Sequence, residues 1–499
     1  MKRRNFCQAT MAAGVVAAIP VNPILAAVQQ ELTQVISDLP ATNTTGGEIV
    51  LERAAVEELK GTLRGDLLMP GNSGYDTARA VWNAMIDRHP ALIARCEGAA
   101  DVSTAITFAK ERNLLVAIRG GGHSISGKSV CEGGLMIDMS NMNTVRVDPD
   151  KRTARADGGC LEGHIDHETT IHSLATTGGI VSHTGAGGLT LGGGYGRVCR
   201  QFGMACDNLL SVDIVTPDGQ LRRASDSENP ELLWALKGGG GNFGVVTALE
   251  YRLHPMNPTV LAGDLIYPWK NAREVLNYYG ERGNDMPDEL NLNVTVQTLA
   301  DGAPVVTVEA VWSGDLDKGD AALAGLRKIG KPISDTIAPI AYAKFQQRGD
   351  NSNRHGIRGY MKSSFVNEFT PALTDEVVDL YRPDPISAIF FMQAGGAVAR
   401  VAPGDTAFPH RSAHCNMMCW NFWLDEETPD QRQERVAQVR ADWKRLEPYT
   451  HGFYVNLNDD SEKKTYANYG VNYPRLVEVK NRFDPTNLLR LNANIKPTV

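Results

Sequence analysis

Three features that often decide a function class are scarce in this sequence: excess positive charge, cysteine and long apolar runs. The formal net charge is -8, which gives no reason to expect binding to nucleic acid or to an anionic membrane surface. The 8 cysteines among 499 residues do not make the dense pattern of a disulfide-stabilised scaffold. The apolar run of residues 11–20 is too short to span a bilayer, so we expect no membrane insertion.

The N-terminus has the layout of a targeting segment. Arg3 and Arg4 are adjacent, Phe6 follows shortly after them, and an apolar run and small residues come next. Paired arginines at this spacing are typical of the twin-arginine route, which exports folded proteins. We therefore predict a signal peptide over residues 1–27 and a periplasmic or secreted protein. The odd number of cysteines left after its removal leaves at least one free thiol.

The chain exceeds the length at which a single hydrophobic core stops growing, so two domains are expected. Short apolar runs alternate with helical patterns and glycine clusters until the composition changes around Pro255 to Pro258. Longer alternating runs then predict a sheet with helices between its strands. We predict an α+β fold with a first domain over residues 28–255, an inserted domain over 256–448 and a turn-rich C-terminal segment, 449–499, that returns to the first.

Local patterns place individual elements. Residues 209–225 are typical of a hairpin with its turn at Pro217 to Gly219, and residues 228–241 predict a helix that ends at glycine. Cys415 and Cys419 are expected to share one face of a strand, where packing is their role. Further strands are predicted at LLVAIRG, GGLMIDMS, NTVRVDPDKRTARADGG, LAGDLIYPW, ELNLNVTVQTL, APVVTVEAVWSG and ISAIFFMQAGG.

Glycine is concentrated in three clusters: residues 118–127, 178–196 and 237–246. Apolar strand residues flank the clusters, which distinguishes them from flexible linkers. Glycine lets the backbone approach a neighbour closely, and successive N–H groups in such loops form concavities that bind anions. The three clusters together therefore predict a site for a planar cofactor that carries phosphate.

The third cluster also contains the dinucleotide pattern G-x-G-x-x-G, at Gly239, Gly241 and Gly244. That pattern needs a strand before it and a helix after it. Here a helix precedes the glycines and the strand pattern VVTALEYRL follows them. The sequence therefore does not predict a Rossmann fold.

Four stretches keep the order and approximate spacing of a known family: RGGGHS, TGGIVSHTGAGGLTLGGGYGRVCRQFGMACDNLLSVDIVTPDG, NPELLWALKGGGGNFGVVTALEYRLHP, and YVN followed by NYGVNYPRLVEVKNRFDPTNLLRLNANI. In them the sequence resembles the FAD-linked oxidases of the vanillyl-alcohol oxidase and p-cresol methylhydroxylase (PCMH) superfamily. The resemblance is to the berberine-bridge-enzyme-like branch, particularly bacterial members of the 6-hydroxynicotine oxidase type. It implies a two-part PCMH-type FAD-binding domain completed by the C-terminal segment, with an inserted substrate domain on an antiparallel sheet backed by helices.

The resemblance implies FAD as the cofactor, bonded covalently through its 8α-methyl carbon to His123. A cysteine often supplies a second link in the family, but Val181 occupies the aligned position, so a single covalent bond is expected. Thr184 aligns with a residue that affects the access of O₂ to the flavin, and it leaves the electron acceptor open. The other implied FAD contacts are Arg119, Gly120, Gly121, Gly122, Ser124, Gly127, Gly185, Gly187, Gly188, Leu189, Gly193, Gly194, Asp207, Asn208, Gly244, Val246, Tyr454, Asn456 and Asn494.

The family's catalytic residues are replaced in this chain. Leu457 stands where relatives carry a tyrosine base, and Met392 stands where an acidic or polar residue is usual; neither can accept a proton. A flavin can still take a hydride from a carbon that an amine nitrogen or aryl ring activates. We therefore expect a small amine, benzylic alcohol or secondary alcohol as substrate. The candidates for a base or a hydrogen-bond partner are His183, Tyr195, Lys362 and Gln393.

Three functions stay open at this point. The first is an oxidase that passes electrons to O₂ and gives H₂O₂, and the second is a periplasmic dehydrogenase that passes them to a cytochrome or quinone. The third is a flavin-bearing binding protein without chemistry. No metal is expected, because the histidines of EGHIDHETTIH, His164, His167 and His172, fit an exposed helix better than a ligand set.

Overall fold

The computed structural model describes residues 38–282, 285–423, 428–457 and 465–499. The predicted signal peptide lies outside the described residues. Within the described residues, we find no helix that combines the length and the apolar character needed to cross a bilayer.

The first region of the chain, up to Pro255, folds into two main sheets with helices packed against them. Its strands are β1 (Leu39–Thr42), β2 (Glu48–Leu51), β3 (Asp66–Leu68), β4 (Leu92–Arg95), β5 (Val116–Arg119), β6 (Leu135–Asp138), β7 (Val145–Asp148), β8 (Thr153–Asp157), β9 (Leu174–Ala175), β10 (Leu209–Val215), β11 (Leu221–Ser225), β12 (Val245–Arg252) and β13 (His254–Pro255). Its helices are α1 (Arg53–Thr62), α2 (Tyr75–Arg79), α3 (Ala99–Glu111), α4 (Glu162–Thr170), α5 (Ala186–Leu191), α6 (Cys199–Phe202) and α7 (Pro230–Leu236).

The first sheet is mixed and has the strand order β3-β4-β6-β5, with β4 and β5 parallel to β6. All four residues of β6 are buried, and Val102, Ile106 and Ala109 of α3 belong to the same core. Parallel strands that are covered on both faces have continuous apolar sequences. The strands predicted at LLVAIRG and GGLMIDMS are therefore confirmed as β5 and β6.

The second sheet is antiparallel, in the order β11-β10-β12-β8-β7. The predicted hairpin is confirmed, because β10 pairs with β11 and Gly219 in its turn has a φ of 79°, which glycine adopts at low cost. Strands β7 and β8 also pair as a hairpin. Two short antiparallel pairs, β1 with β2 and β9 with β13, complete the region.

The second region contains one antiparallel sheet of eight strands, in the order β17-β14-β16-β15-β20-β21-β19, with β18 also paired to β14. These strands are β14 (Thr259–Pro268), β15 (Leu290–Thr298), β16 (Pro304–Trp312), β17 (Ser334–Asp335), β18 (Ala338–Ala341), β19 (Arg358–Val366), β20 (Ser387–Gln393) and β21 (Cys415–Trp423). The helices of this region are α8 (Ala272–Arg282), α9 (Gly319–Arg327), α10 (Tyr342–Gln347), α11 (Pro371–Leu380), α12 (Ala397–Arg400) and α13 (Pro429–Leu446). All four strands predicted here from alternating runs, β14, β15, β16 and β20, are confirmed.

Both faces of this sheet are covered, but by different partners. On β20, Ile389 and Phe391 belong to the core that the sheet shares with helices α8, α11 and α13. Phe390 and Met392 of the same strand pack instead with side chains of the first region. Because successive side chains on a strand point to opposite faces, this alternation creates a wall toward the glycine clusters.

The cysteines have structural positions. Cys415 and Cys419 share the helix-covered face of β21, as predicted. All seven cysteines in the described part of the chain are free and buried, and burial raises the pKa of Cys160 to about 12. These thiols are consequently packed side chains that stay protonated at neutral pH.

The C-terminal residues return to the first region, as expected. They form the helices α14 (Thr465–Tyr469) and α15 (Tyr473–Phe483), so the turn-rich prediction missed a helix whose Leu476, Val479 and Phe483 join the first region's core. Lys480 on α15 donates to the carbonyl of Asn242 at 2.8 Å. The C-terminal segment therefore packs against the third glycine cluster. The exact domain boundaries stay a prediction.

Candidate active site

A cavity of about 650 Å³ lies between the glycine clusters and the wall formed by β19, β20 and β21. All three clusters contribute to its lining. The first contributes residues 120–123, the second Gly185, Gly187 and Gly188, and the third Gly240, Gly241 and Gly244. The three clusters predicted from the sequence thus meet at one site.

The first two clusters touch each other through their backbones. A Cβ atom added to Gly121 would lie 2.4 Å from the backbone nitrogen of Gly185, and a Cβ on Gly185 would lie 2.4 Å from that of Gly121. No real Cβ tolerates such a contact with backbone atoms. Glycine at these two positions is therefore required by the packing of the loops.

Gly188 and Gly241 have a different environment. A Cβ added to either residue would meet no atom within 4 Å, although both line the cavity. The protein itself does not require glycine there, so the open space beside these backbones fits a ligand that approaches the main chain closely.

His123 lies in the cavity wall among other aromatic rings. Its Nε2 lies 2.7 Å from Nδ1 of His183, and the ring of Trp82 stacks on it with centroids 5.3 Å apart. Burial, assisted by His183 and His355, lowers the pKa of His123 to about 3. The imidazole is therefore neutral at physiological pH, and one of its ring nitrogens carries a free lone pair.

His355 completes a cluster of three imidazoles that the sequence did not reveal. One ring nitrogen of each of His123, His183 and His355 lies within 4.8 Å of the others. His355 belongs to a loop fixed by Ser182, whose hydroxyl donates to Asp350 at 2.6 Å. The three histidines predicted on an exposed helix lie outside this cluster. His167 and His172 are exposed as predicted, but His164 is partly buried and accepts a hydrogen bond from the backbone of Leu161 at 3.3 Å.

The Y-x-N motif at the C-terminus locks the second glycine cluster. The hydroxyl of Tyr454 accepts hydrogen bonds from the backbone N–H groups of Gly194 at 3.0 Å and Tyr195 at 3.3 Å. Asn456 donates to the carbonyl of Leu189 at 2.8 Å. Burial raises the pKa of Tyr454 to about 12, so this tyrosine shapes the loop and stays protonated.

Comparison with known proteins decides the family. A family model described as an FAD binding domain matches residues 90–225, and one described as berberine and berberine like matches residues 453–496. The chain is 31% identical to an FAD-linked oxidoreductase of Dictyostelium discoideum, over 89% of this chain and 97% of the relative. The chain belongs to the berberine-bridge-enzyme-like FAD-linked oxidoreductases.

Hydroxynicotine oxidase is similar to this chain in both sequence and structure. The chain is 30% identical to (R)-6-hydroxynicotine oxidase of Paenarthrobacter nicotinovorans, over 87% of this chain and 97% of that protein. The crystal structure of 6-hydroxy-D-nicotine oxidase from Arthrobacter nicotinovorans matches with a TM-score of 0.79 at 28% identity, covering 87% of this chain and 98% of the other. This berberine-bridge-like chain is accordingly an FAD-dependent oxidoreductase with a PCMH-type fold, and the space beside Gly188 and Gly241 fits FAD.

Most of the FAD contacts that the sequence predicted line the cavity of this berberine-bridge-like enzyme. They are Gly120, Gly121, Gly122, His123, Ser124, Val181, Thr184, Gly185, Gly187, Gly188, Leu189, Gly244, Val246, Tyr454 and Asn456. Trp82, Gly158, Gly241 and Asn492 also line it and were not predicted. Of these four, only Gly241 had a sequence signal, its place in the third cluster.

The remaining predicted FAD contacts lie behind this lining. Asp207 accepts two hydrogen bonds from Arg411, both at 2.8 Å, and Asn208 bonds to His254 at 2.6 Å. The polar atoms of these two side chains are therefore engaged by other protein residues. Arg119, Gly127, Gly194 and Asn494 are next in sequence to cavity-lining residues, and Gly193 lies two positions from Leu191 and Tyr195. None of these five residues is part of the lining.

Two of the four candidate catalytic residues point away from the cavity. Lys362 pairs across the sheet with Cys419, and Gln393 pairs with Cys415; both cysteines face the helices. Gln393 also accepts a hydrogen bond from the backbone of Leu292 at 2.6 Å. The strand register, which the sequence alone did not set, overturns these two candidates.

Tyr195 is the candidate that reaches the cavity. Its ring contacts Phe365, Phe408 and Tyr454, and its buried hydroxyl has no hydrogen-bond partner among the described residues. Burial raises the pKa of Tyr195 well above its ordinary value. Tyr195 can therefore donate a hydrogen bond to a bound molecule, but it does not act as a base near neutral pH.

Leu457 and Met392, the residues that replace the family's usual catalytic groups, both line the cavity. Their apolar side chains exclude water without accepting a proton. The two positions at which relatives carry catalytic groups therefore lie in the cavity, although the residues there are apolar in this chain.

Proposed function

We propose that this chain is an exported flavoprotein oxidase that holds FAD through a single covalent bond to His123. It oxidises a small amine, benzylic alcohol or secondary alcohol, with O₂ as the electron acceptor and H₂O₂ as the product. The observation that carries the proposal is the neutral imidazole of His123 in the wall of a glycine-lined cavity.

The contact between His123 and His183 suits attachment through Nδ1. When Nε2 of His123 carries the proton and donates it to Nδ1 of His183, the lone pair of His123 resides on Nδ1. We assign the covalent bond to that nitrogen. His183 would then fix the reactive tautomer and accept the Nε2 proton. Attachment would break one C–H bond of the 8α-methyl group and leave two electrons on the flavin, which the proposed acceptor O₂ would remove.

The chain's other contributions are binding, orientation and the exclusion of water. FAD, when bound, supplies the acceptor for the substrate hydride and the group that O₂ reoxidises. Tyr195 donates a hydrogen bond to the oxygen or nitrogen of the substrate, and Met392 and Leu457 keep water out. Because hydride leaves a carbon that a neighbouring nitrogen or aryl ring activates, no strong side-chain base is required.

Support for O₂ as the acceptor comes from the relatives, among which (R)-6-hydroxynicotine oxidase is named an oxidase. Support for export comes from the N-terminal sequence, in which Arg3 and Arg4 precede an apolar run. A covalent bond to His123 would retain the flavin while the folded protein crosses the membrane.

Anaerobic reduction followed by mixing with air tests the proposed reaction. We expect an amine or benzylic alcohol to bleach the flavin, air to restore its colour within seconds, and peroxide to form in equal amount. Slow reoxidation by air but fast reoxidation by cytochrome c or a quinone would contradict the oxidase and identify a dehydrogenase. No bleaching by any amine or alcohol would identify a binding protein.

Export is tested separately in a bacterial host. Replacing both Arg3→Lys and Arg4→Lys should keep the flavoprotein in the cytoplasm, because the pair is what the export route reads. The matched control Lys2→Gln should be exported like the wild type. Export of the double variant at the wild-type level would contradict the twin-arginine route.

A further inference from the structure

The cavity wall opposite the glycine clusters carries three aromatic rings, Phe390, Trp420 and Phe422, which we call the aromatic wall. Trp420 and Phe422 are stacked, with centroids 5.2 Å apart and planes 14° from parallel. Phe390 lies next to Trp420, with centroids 5.6 Å apart. Trp420 and Phe422 are only partly buried, so part of each ring stays accessible to a molecule in the cavity.

The register of the sheet exposes these rings. Trp420 pairs with Ala388 on one side and Met361 on the other, and the small side chain of Ala388 leaves space beside the indole. Phe422 pairs with Gly359, where an added Cβ would lie 2.2 Å from the phenyl ring. Small residues on the neighbouring strands thus set the position of both rings.

The rings form a continuous path to His123. Trp82 meets Phe422 edge-on, with centroids 5.6 Å apart, and stacks on His123 at 5.3 Å. A planar molecule on the aromatic wall therefore lies in the same cavity as the proposed point of flavin attachment.

Polar side chains on the sheet side of the cavity are already engaged. Gln297 donates to the hydroxyl of Thr307 at 2.9 Å, and Ser387 donates to Asn421 at 2.7 Å. A ligand with many hydroxyl groups would lose hydrogen bonds to water here and regain few. The hydroxyl of Tyr195, by contrast, has no partner among the described residues and can bind one polar group.

We propose that the substrate is a planar, apolar aromatic compound with one hydroxyl or amino group at its reacting end, and that sugars are excluded. The aromatic rings stack on Trp420 and Phe422, while the polar group accepts a hydrogen bond from Tyr195. Offset and edge-to-face contacts between rings add stabilisation beyond the burial of apolar area. This substrate class rests on the proposed function, since it concerns the same cavity.

Binding of two probes to the holoenzyme tests the substrate class independently of turnover. We would titrate 1-(2-naphthyl)ethanol and cellobiose and follow tryptophan fluorescence and the flavin spectrum without oxygen. The naphthyl alcohol should bind at least about tenfold more tightly than cellobiose, a difference of about 1.4 kcal/mol. Equal or tighter binding of cellobiose, or no binding of the naphthyl alcohol, would overturn the proposal.

Variants assign the binding to the aromatic wall. Trp420→Ala should weaken binding of the naphthyl alcohol about tenfold, and Trp420→Phe should retain most of it. Trp443→Phe is the matched control, because Trp443 lies in the core on the helix-covered face of the sheet. Unchanged binding of the naphthyl alcohol by Trp420→Ala would contradict the proposal. If Trp420→Ala does not fold, Phe422→Leu takes its place.

The two proposals fail in distinguishable ways. Tight, Trp420-dependent binding of the naphthyl alcohol without bleaching of the flavin would uphold the aromatic site and contradict oxidation of that alcohol. Bleaching by cellobiose, with weak binding of the naphthyl alcohol, would uphold the oxidoreductase and overturn the aromatic site.

Discussion

Nε2 of His123 and Nδ1 of His183 lie 2.7 Å apart, so these two imidazoles share one proton between them. Burial keeps His123 neutral by lowering its pKa to about 3. In the proposed attachment, His123 is the nucleophile and His183 is the neighbouring proton acceptor. A nucleophilic side chain next to a base is the usual arrangement for covalent bond formation.

The first prediction concerns flavin attachment. His183→Ala should slow covalent attachment of FAD about 100-fold, because general base assistance is commonly of that size. Flavin fluorescence of the denatured protein on a gel measures attachment over time. His167→Ala, which changes an exposed histidine, is the control, and equal rates for both variants would show that His183 has no such role.

The second prediction concerns Tyr195. Tyr195→Phe should lower kcat/KM about tenfold or more, because it removes a hydrogen bond worth about 1–3 kcal/mol in a buried site. Bound flavin and folding should not change. Tyr342→Phe is a matched control, since the Tyr342 hydroxyl is also buried without a partner among the described residues but belongs to a separate core. Equal activity losses in both variants would contradict a contact between Tyr195 and substrate.

The third prediction concerns a buried ion pair between the two regions of the fold. Burial alone would raise the pKa of Glu309, but Arg197 and Arg348 outweigh burial and hold it at about 2. Arg197 donates to both carboxylate oxygens of Glu309, at 3.0 and 2.9 Å. Arg197→Met should therefore lower the free energy of unfolding by about 3 kcal/mol, because Glu309 then keeps only one ion pair, to the partly exposed Arg348.

Denaturant unfolding of Arg197→Met measures this loss. Arg273 serves as the comparison, since it pairs with Asp375 and Asp379 at the exposed surface. Arg273→Met should cost less than about 1 kcal/mol. Similar losses for both variants would mean that burial does not strengthen the Arg197 pair.

The fourth prediction concerns the pH dependence of stability. Burial raises the pKa of Asp166 from 3.8 to about 7, so the folded state binds a proton that the unfolded state releases above about pH 4. The free energy of unfolding contributed by this group is complete at low pH and falls as the pH rises toward 7, at up to about 1.4 kcal/mol per pH unit.

Asp166→Asn removes this loss. Its stability relative to the wild type should rise between about pH 4 and pH 7 and stay constant above that range. Thermal unfolding at several pH values measures the difference. Because Glu162 on the same helix is also buried, the double variant Glu162→Gln, Asp166→Asn separates their effects. A pH-independent difference for Asp166→Asn would show that Asp166 is ionised in the folded protein.

The sequence predicted the elements whose patterns are local. Alternation found β14, β15, β16 and β20, and the Pro217 to Gly219 turn found the hairpin of β10 and β11. Helix α15 was missed because packing of Leu476, Val479 and Phe483 against the first region stabilises it, and that partner is distant in sequence.

The candidate site was predicted where glycine or a motif marks it and missed where tertiary contacts create it. The cavity lining contains His123 and most of the predicted glycines, whereas Trp82 and His355 reach His123 through loops without a sequence pattern. Lys362 and Gln393 were wrong by one position, since their neighbours Met361 and Met392 face the cavity. A shift of one residue reverses the face of a strand side chain.

The central claim, a flavin bonded to His123, is tested most directly by mass spectrometry of a tryptic digest. Cleavage after Arg119 and Lys128 releases residues 120–128, a peptide whose only histidine is His123. We predict that this peptide carries the mass of FAD, and that fragmentation places the added mass on His123. An unmodified 120–128 peptide, with all of the FAD free in the supernatant of the denatured protein, would contradict the claim.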